Sequence, residues 1–360
     1  MTPPTPPLHR INPQVRAIEG YHLKAYDCPI KLNQNESPFD VPEDLKAQIL
    51  KTVSTRPWSR YPDPMPLDLA AALADHVNVS PNQVIVCNGS NTLIQLFLAL
   101  TTHPDAPVVI PSPSFSLYGL YTGLFNGRTI SVPLTPAFTF DIPAIQKAIH
   151  KENAHTVILC SPNNPTGCAI SNNDLKALLS QTDALVLLDE AYGEFSDHTA
   201  LDLLPEHPNL VVLKTFSKAF GAAGIRIGYL IAHPDITQEI VKGKIPFDIN
   251  LFSYTAAMEI VQQKQLIQER IEAILAERQR LFHALQALNG AHPYPSQANL
   301  ILFEVEDPEA VFNGLVEQGI LIRNVTSYPM LSKALRVSIG TQEENDCFLK
   351  ALEKTLRETP

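Results

Sequence analysis

The chain has 360 residues, 45% hydrophobic and 18% charged, with a formal net charge of −10. That balance fits a folded globular protein rather than a disordered one. No stretch is basic enough for a nucleic-acid partner, and apolar runs such as "LIQLFLAL" (93–100) are far too short to span a bilayer.

At this length one core is stretched, so a large domain with a smaller companion is expected. The N-terminus "MTPPTPPLHR" has no apolar signal core, so no export signal is expected. Its prolines exclude a helix interior, leaving a loose tail or an arm that docks on a partner. Residues 1–44 are read as this arm with part of the small domain. Between 84 and 232 come seven apolar runs: "VIVCNG", "PVVIPS", "RTISVPL", "TVILCSP", "LVLLDEA", "LVVLKTF" and "IGYLIA". Helix-like segments separate most of them, among them "SNTLIQLFLALT" (90–101) and "NNDLKALLSQT" (172–182). Unalternating apolar runs suit strands buried on both faces, and strand–helix alternation implies a mainly parallel sheet. We therefore expect a large α/β domain over 45–255. The pattern over 254–288 has no Pro or Gly and reads as one long helix bridging two domains. "NLILFEV", a helix at 308–318, "GILIRNV", "LRVSIG" and a helix from 342 then read as a small α+β domain, so 256–360 holds the interdomain helix and this domain.

The five cysteines, Cys28, Cys87, Cys160, Cys168 and Cys347, are scattered, odd in number and never C-x-x-C. This disfavours a disulfide framework or zinc site and favours a reducing cytoplasm. The histidines show no ligand spacing, so no metal is expected.

Polar residues collect at the strand ends, where ligands bind in α/β sheets. "CNGSN" (87–91) closes one strand and opens a helix, whose first free N–H groups favour an anion. "SPNNPTG" (161–167) is a turn of Asn, Pro and Gly. "LLDEAY" (187–192) ends a strand with two carboxylates and a tyrosine. In "TFSKAFGAAGIRIGY" (215–229), Lys218 follows a strand among Ala, Phe and Gly, with Arg226 nearby. A lysine so placed either snorkels to water or is kept partly neutral for a carbonyl. No P-loop, G-x-G-x-x-G, G-x-S-x-G or H-E-x-x-H motif is present. An anion cradle, a carboxylate and a lysine match what pyridoxal phosphate needs.

The order and spacing of "SPNNPTG", "LLDEAY" and "TFSKAFGAAGIRIGY" resemble the class I/II aminotransferases of fold type I over nearly the whole chain. "KLNQNESP" (31–38), "RYPDP" (60–64), "KIPFDINLFS" (244–253) and "LRVSIGTQEEN" (335–345) resemble the histidinol-phosphate aminotransferase branch. The resemblance implies a large domain with a mainly parallel seven-stranded sheet between helices plus a small α+β domain, and pyridoxal 5'-phosphate as cofactor. It implies that Lys218 carries the Schiff base and moves the proton. Asp189 pairs with the pyridinium nitrogen, Tyr192 and Asn164 bond the phenolic oxygen, and Phe115 stacks on the ring. Ser90, Asn91, Ser217 and Arg226 hold the phosphate, while Tyr61 reaches the cofactor of a neighbouring subunit, making a homodimer part of the mechanism. Arg336 clamps the substrate anion with Arg323 as a second group, and Tyr21 is a candidate for the same pocket. Asn91 and Thr92 stand where relatives often carry an acidic pair. The implied reaction transfers an amino group between L-histidinol phosphate and 2-oxoglutarate. An aromatic aminotransferase or a phospho-amino-acid decarboxylase on the same fold stays open. A silent cofactor-binding regulator is disfavoured by the length and the acidity.

Overall fold

All seven apolar runs between 84 and 232 become strands of one sheet. They are β2 (Val84–Cys87), β3 (Val108–Ser112), β4 (Thr129–Pro133), β5 (Thr156–Cys160), β6 (Leu185–Asp189), β7 (Leu210–Thr215) and β8 (Gly228–Ala232); β1 (Ile30–Lys31) lies apart. The computed structural model describes residues 6–17 and 24–358. The sheet order is β2-β8-β7-β6-β5-β3-β4. Only β8 runs antiparallel to its neighbours; the remaining pairs are parallel.

The central strands lack alternation because both faces are covered. Val157, Leu159, Val186, Leu188 and Val212 face one apolar cluster. Ile158, Cys160, Leu187, Val211 and Leu213 face the other, as a two-residue period requires. The edge strand β4 keeps an exposed, interrupted pattern.

Helices α1 (Pro13–Ala17), α2 (Glu43–Ser54) and α3 (Leu67–His76) precede the sheet. α4 (Ser90–Thr101), α5 (Leu117–Leu124), α6 (Ile142–Glu152) and α7 (Asn172–Leu179) connect its strands, and α8 (Pro234–Ile240) follows it. α6 shows how local sequence sets an end: the Asp141 side chain accepts the Ala144 N–H, and Asn153 closes the helix at φ 50°. α7 starts at its Ser171 cap but stops three residues short of the expected 182.

The expected single helix over 254–288 is two helices, α9 (Leu251–Val261) and α10 (Lys264–Ala287). Gln263, at φ −86° and ψ 47°, leaves the helical region between them. α9 packs on α2 and α3, whereas α10 packs on the second sheet and the C-terminal helix. One axis cannot serve both, so packing overrides helical propensity where no Pro or Gly marks a break.

The second sheet comprises β9 (His292–Pro293), β10 (Leu300–Glu304), β12 (Arg323–Asn324) and β13 (Ala334–Ser338), in the order β12-β13-β10-β9 and antiparallel throughout. The run "GILIRNV" divides: β11 (Ile320–Leu321) pairs with β1 in parallel, and β12 pairs with β13. α11 (Pro308–Glu317) and α12 (Gln342–Glu358) pack on one another. Among the described residues no helix is long and apolar enough to cross a membrane.

The register aligns the strand ends that matter. Cys160 lies opposite Asp189, Asp189 opposite Leu213, and Thr215 opposite Gly228, which also faces Cys87. The segments leaving β2, β3, β5, β6 and β7 therefore emerge on one rim.

Candidate active site

A cavity of about 450 Å³ opens on that rim. Its anion-binding side is built by α4. Gly89 caps the helix at φ 87°, a conformation that suits glycine. A Cβ there would stand 2.6 Å from Arg226 Nη2, and one on Gly228 would stand 2.3 Å from the Ser90 nitrogen. The two glycines thus let the helix start, β8 and the guanidinium approach one another. Among the described residues the backbone N–H groups of Ser90 and Asn91 have no acceptor, because they open the helix. Arg226, itself at φ 55°, donates from Nη1 to Ser217 Oγ at 3.3 Å and to the Ala223 carbonyl at 3.1 Å. Two free N–H groups, a hydroxyl and a guanidinium at a helix N-terminus form an anion cradle.

Lys218 sits further into the cavity. Its Nζ donates to the Gln34 carbonyl at 2.8 Å and lies 5.7 Å from the centre of the Tyr192 ring. Burial, followed by the positive charges of Arg336 and Arg226, pulls its ammonium down to about 7, against an opposing pull from Glu36. The lysine is therefore a partly neutral amine at physiological pH.

Asp189 is 4% exposed at the end of β6. Tyr118 Oη donates to its Oδ2 at 2.7 Å and the Ala191 N–H donates to its Oδ1 at 2.9 Å. Burial outweighs these bonds and lifts its carboxyl to about 6. It has no ion-pair partner among the described residues, yet it lines the cavity. A buried carboxylate in that state fits a cationic N–H group of a bound ring. Tyr192 Oη accepts from Asn35 Nδ2 at 2.9 Å, which leaves its own hydroxyl proton free to donate. Burial pushes that phenol above its ordinary value. Asn164 Oδ1 accepts from Arg336 Nη1, which turns the asparagine's amide donors away from the guanidinium.

Arg336 and Arg323 are cross-strand partners on β13 and β12, and both line the cavity. Arg336 Nη2 also donates to the Asn33 carbonyl at 2.6 Å. Arg323 has no hydrogen-bond or ion-pair partner among the described residues and borders a second opening of about 540 Å³. Phe115 lines the cavity edge-on to Tyr118, with centroids 5.5 Å apart.

The structure thus brings together Lys218, Ser90, Asn91, Phe115, Asn164, Asp189, Tyr192, Ser217, Arg226, Arg323 and Arg336. Tyr61 is not among them: it is 84% exposed, with its ring 4.8 Å from Phe247. Tyr21 lies outside the described residues. Sequence reasoning assigned no role to Tyr118, Asn35 or Gln34, which fix Asp189, Tyr192 and Lys218. A buried tyrosine hydroxyl signals that it needs a partner, but nothing local names Asp189 as that partner.

The model of the family described as "Aminotransferase class I and II" matches residues 28–352. Histidinol-phosphate aminotransferase from Chlorobaculum tepidum is 39% identical over 96% of this chain and 99% of its own length. The enzyme of that name from Chlorobaculum parvum is 40% identical over 95% and 97%. The crystal structure of histidinol-phosphate aminotransferase from Sinorhizobium meliloti in complex with pyridoxal-5'-phosphate superposes with a TM-score of 0.89 at 26% identity, covering 98% of both chains. With a match over most of its length and with this rim of polar strand ends, the chain belongs to the class I and II aminotransferases.

Proposed function

We propose that this chain is a pyridoxal-phosphate-dependent aminotransferase that moves an amino group between L-histidinol phosphate and 2-oxoglutarate, in histidine biosynthesis. The observation that carries the reading is the likeness, at 39–40% identity over nearly the whole chain, to relatives named for that reaction. The site is consistent with it. Histidinol phosphate and 2-oxoglutarate are both anionic, and two neighbouring guanidiniums on β12 and β13 suit bidentate anion binding.

When bound, the cofactor supplies an aldehyde for the substrate amine and a ring that withdraws the electron pair released at the substrate Cα. The chain's own residues do the rest. The cradle of Ser90, Asn91, Ser217 and Arg226 would hold the phosphate. Asp189 would set a negative charge against the pyridine nitrogen, while Tyr192 and Asn164 would donate to the phenolic oxygen. Phe115 would bound the pocket that receives the ring. Lys218, partly neutral at pH 7, would take and hold the proton lost from the substrate Cα. Arg336, held by Asn33 and Asn164, orients the substrate anion, with Arg323 beside it.

An absorbance spectrum with and without substrate tests this reading. The purified holoenzyme should be yellow, lose its visible band with L-histidinol phosphate and regain it with 2-oxoglutarate. Bleaching by phenylalanine instead would move the reading to an aromatic aminotransferase. Carbon dioxide release from phosphothreonine would move it to a decarboxylase. A protein that stays colourless with added pyridoxal phosphate would overturn it.

The reading includes a homodimer with shared sites. Trp58, Tyr61, Leu67 and Ile245 are each more than two-thirds exposed, and large apolar side chains left bare in this way favour an interface. Tyr61 is one of them and would serve the partner's cradle. A monomer in sedimentation at working concentration would remove that part. The free cysteines support a cytoplasmic setting.

A further inference from the structure

Behind the anion cradle lies a buried ion pair whose side chains do not enter the cavity. Lys244 and Asp248 have side chains only 2% and 8% exposed, and Lys244 Nζ bonds Asp248 Oδ1. The other carboxylate oxygen, Oδ2, accepts the N–H of Asn88 at 3.1 Å. Thr92 Oγ1 donates to the Asn88 carbonyl at 2.9 Å. Asn88 is thereby gripped at both its donor and its acceptor, immediately before Gly89 turns the chain into the cradle.

The pair is four residues apart but not on a helix. Lys244 is extended at ψ 135°, Pro246 follows, and Phe247 takes φ 63°. A non-glycine residue in that region is sparsely populated and persists where its surroundings hold it. Here the turn aims both charged side chains inward at the loop and leaves the Phe247 ring against Tyr61.

The charges have a consequence for whatever binds. A lone carboxylate bonded to Asn88 would set a buried negative charge beside a cradle built for an anion. Lys244 cancels it at contact distance.

We propose that Lys244 and Asp248 are positioning residues for the cofactor phosphate. Asp248 fixes Asn88, and through it the N–H groups of Ser90 and Asn91, while Lys244 neutralises the carboxylate so that the loop accepts a dianion. This inference rests on the cofactor reading given above.

Equilibrium dialysis of the full-length apoprotein against pyridoxal phosphate and against pyridoxal, which lacks the phosphate, tests it. The ratio of the two dissociation constants isolates the phosphate. In Lys244→Met the preference for pyridoxal phosphate should fall about tenfold or more, the effect of one added negative charge near a dianion at the effective dielectric of such a site. Adding Asp248→Asn should restore the wild-type ratio, because asparagine Oδ1 still accepts the Asn88 N–H. If Lys244→Met does not fold, Asp248→Asn alone decides: it leaves Lys244 uncompensated, and the preference should rise. A ratio unchanged across the folded variants, or a fall in Asp248→Asn, would overturn the proposal while leaving the cofactor reading intact. Failure of the wild type to bind either compound would remove both.

Discussion

Lys218→Ala is expected to lower the transamination rate by about 10⁴-fold, the upper end of what one positioned proton-transfer group contributes. The reason lies in the state of the amine. Burial and the Arg336 and Arg226 guanidiniums bring its ammonium down to about 7 from an ordinary 10.5. Near neutral pH the wild type therefore holds a large fraction of free amine, which on the proposed reading would attack the cofactor aldehyde and accept a proton. Cofactor uptake by the wild-type apoprotein should speed up as pH rises through about 7 and level off above it. Lys218→Arg should fail as well, since a guanidinium stays charged. The same shift separates lost chemistry from lost fold. Between pH 7 and 10.5 the unfolded chain holds the Lys218 proton more firmly than the folded apoprotein does. Lys218 thus costs stability at neutral pH, and that cost fades as pH rises through this window. Apoprotein Lys218→Ala should melt no lower than wild type at pH 7 in calorimetry. A variant that keeps more than a hundredth of wild-type activity would contradict the role given to Lys218.

Much of this site was legible because a parallel sheet writes itself plainly. Strands buried on both faces must be apolar throughout, so Val157 to Cys160 and Leu210 to Leu213 stand out with no knowledge of neighbours. Polar residues at their ends, Asp189 and Lys218 above all, then look misplaced unless a ligand meets them. What stayed hidden depends on contacts between distant residues. Tyr118 reaches Asp189 across 71 positions, Asn35 reaches Tyr192 across 157, and the Gln34 carbonyl meets Lys218 across 184. Asp248 grips Asn88 across 160. No local pattern encodes such pairs. The break between α9 and α10 was hidden for a related reason: Gln262 and Gln263 are adequate helix formers, and only the two different packing partners force the turn. The two-residue strand β9 is too short to carry an alternation.

Asp189→Asn is expected to lower kcat by 10²- to 10³-fold, on the order of what one preorganised electrostatic partner supplies, while the visible band still forms. The side chain should keep its place. Ala191 can only donate to it, so the asparagine oxygen must stay on that side. The new amide group then faces Tyr118, whose hydroxyl can rotate from donor to acceptor. The fold should not suffer. Burial raises the Asp189 carboxyl from 3.8 to about 6 in the apoprotein. Across that window the folded state holds the proton that the unfolded chain releases, so stability falls as pH rises, and the ionised carboxylate is a cost at pH 7. Removing the charge should leave the apoprotein at least as stable there. On the proposed reading, what would disappear is the negative partner of the pyridine nitrogen. Without it the ring would be a poorer electron sink, and the proton at the substrate Cα would be harder for Lys218 to remove. Because the cradle and Lys218 are untouched, the loss should appear in kcat for the half-reaction with L-histidinol phosphate more than in its KM. A variant within tenfold of wild-type kcat would show that the Asp189 charge is not what the chemistry uses. A loss confined to KM would point to substrate binding instead.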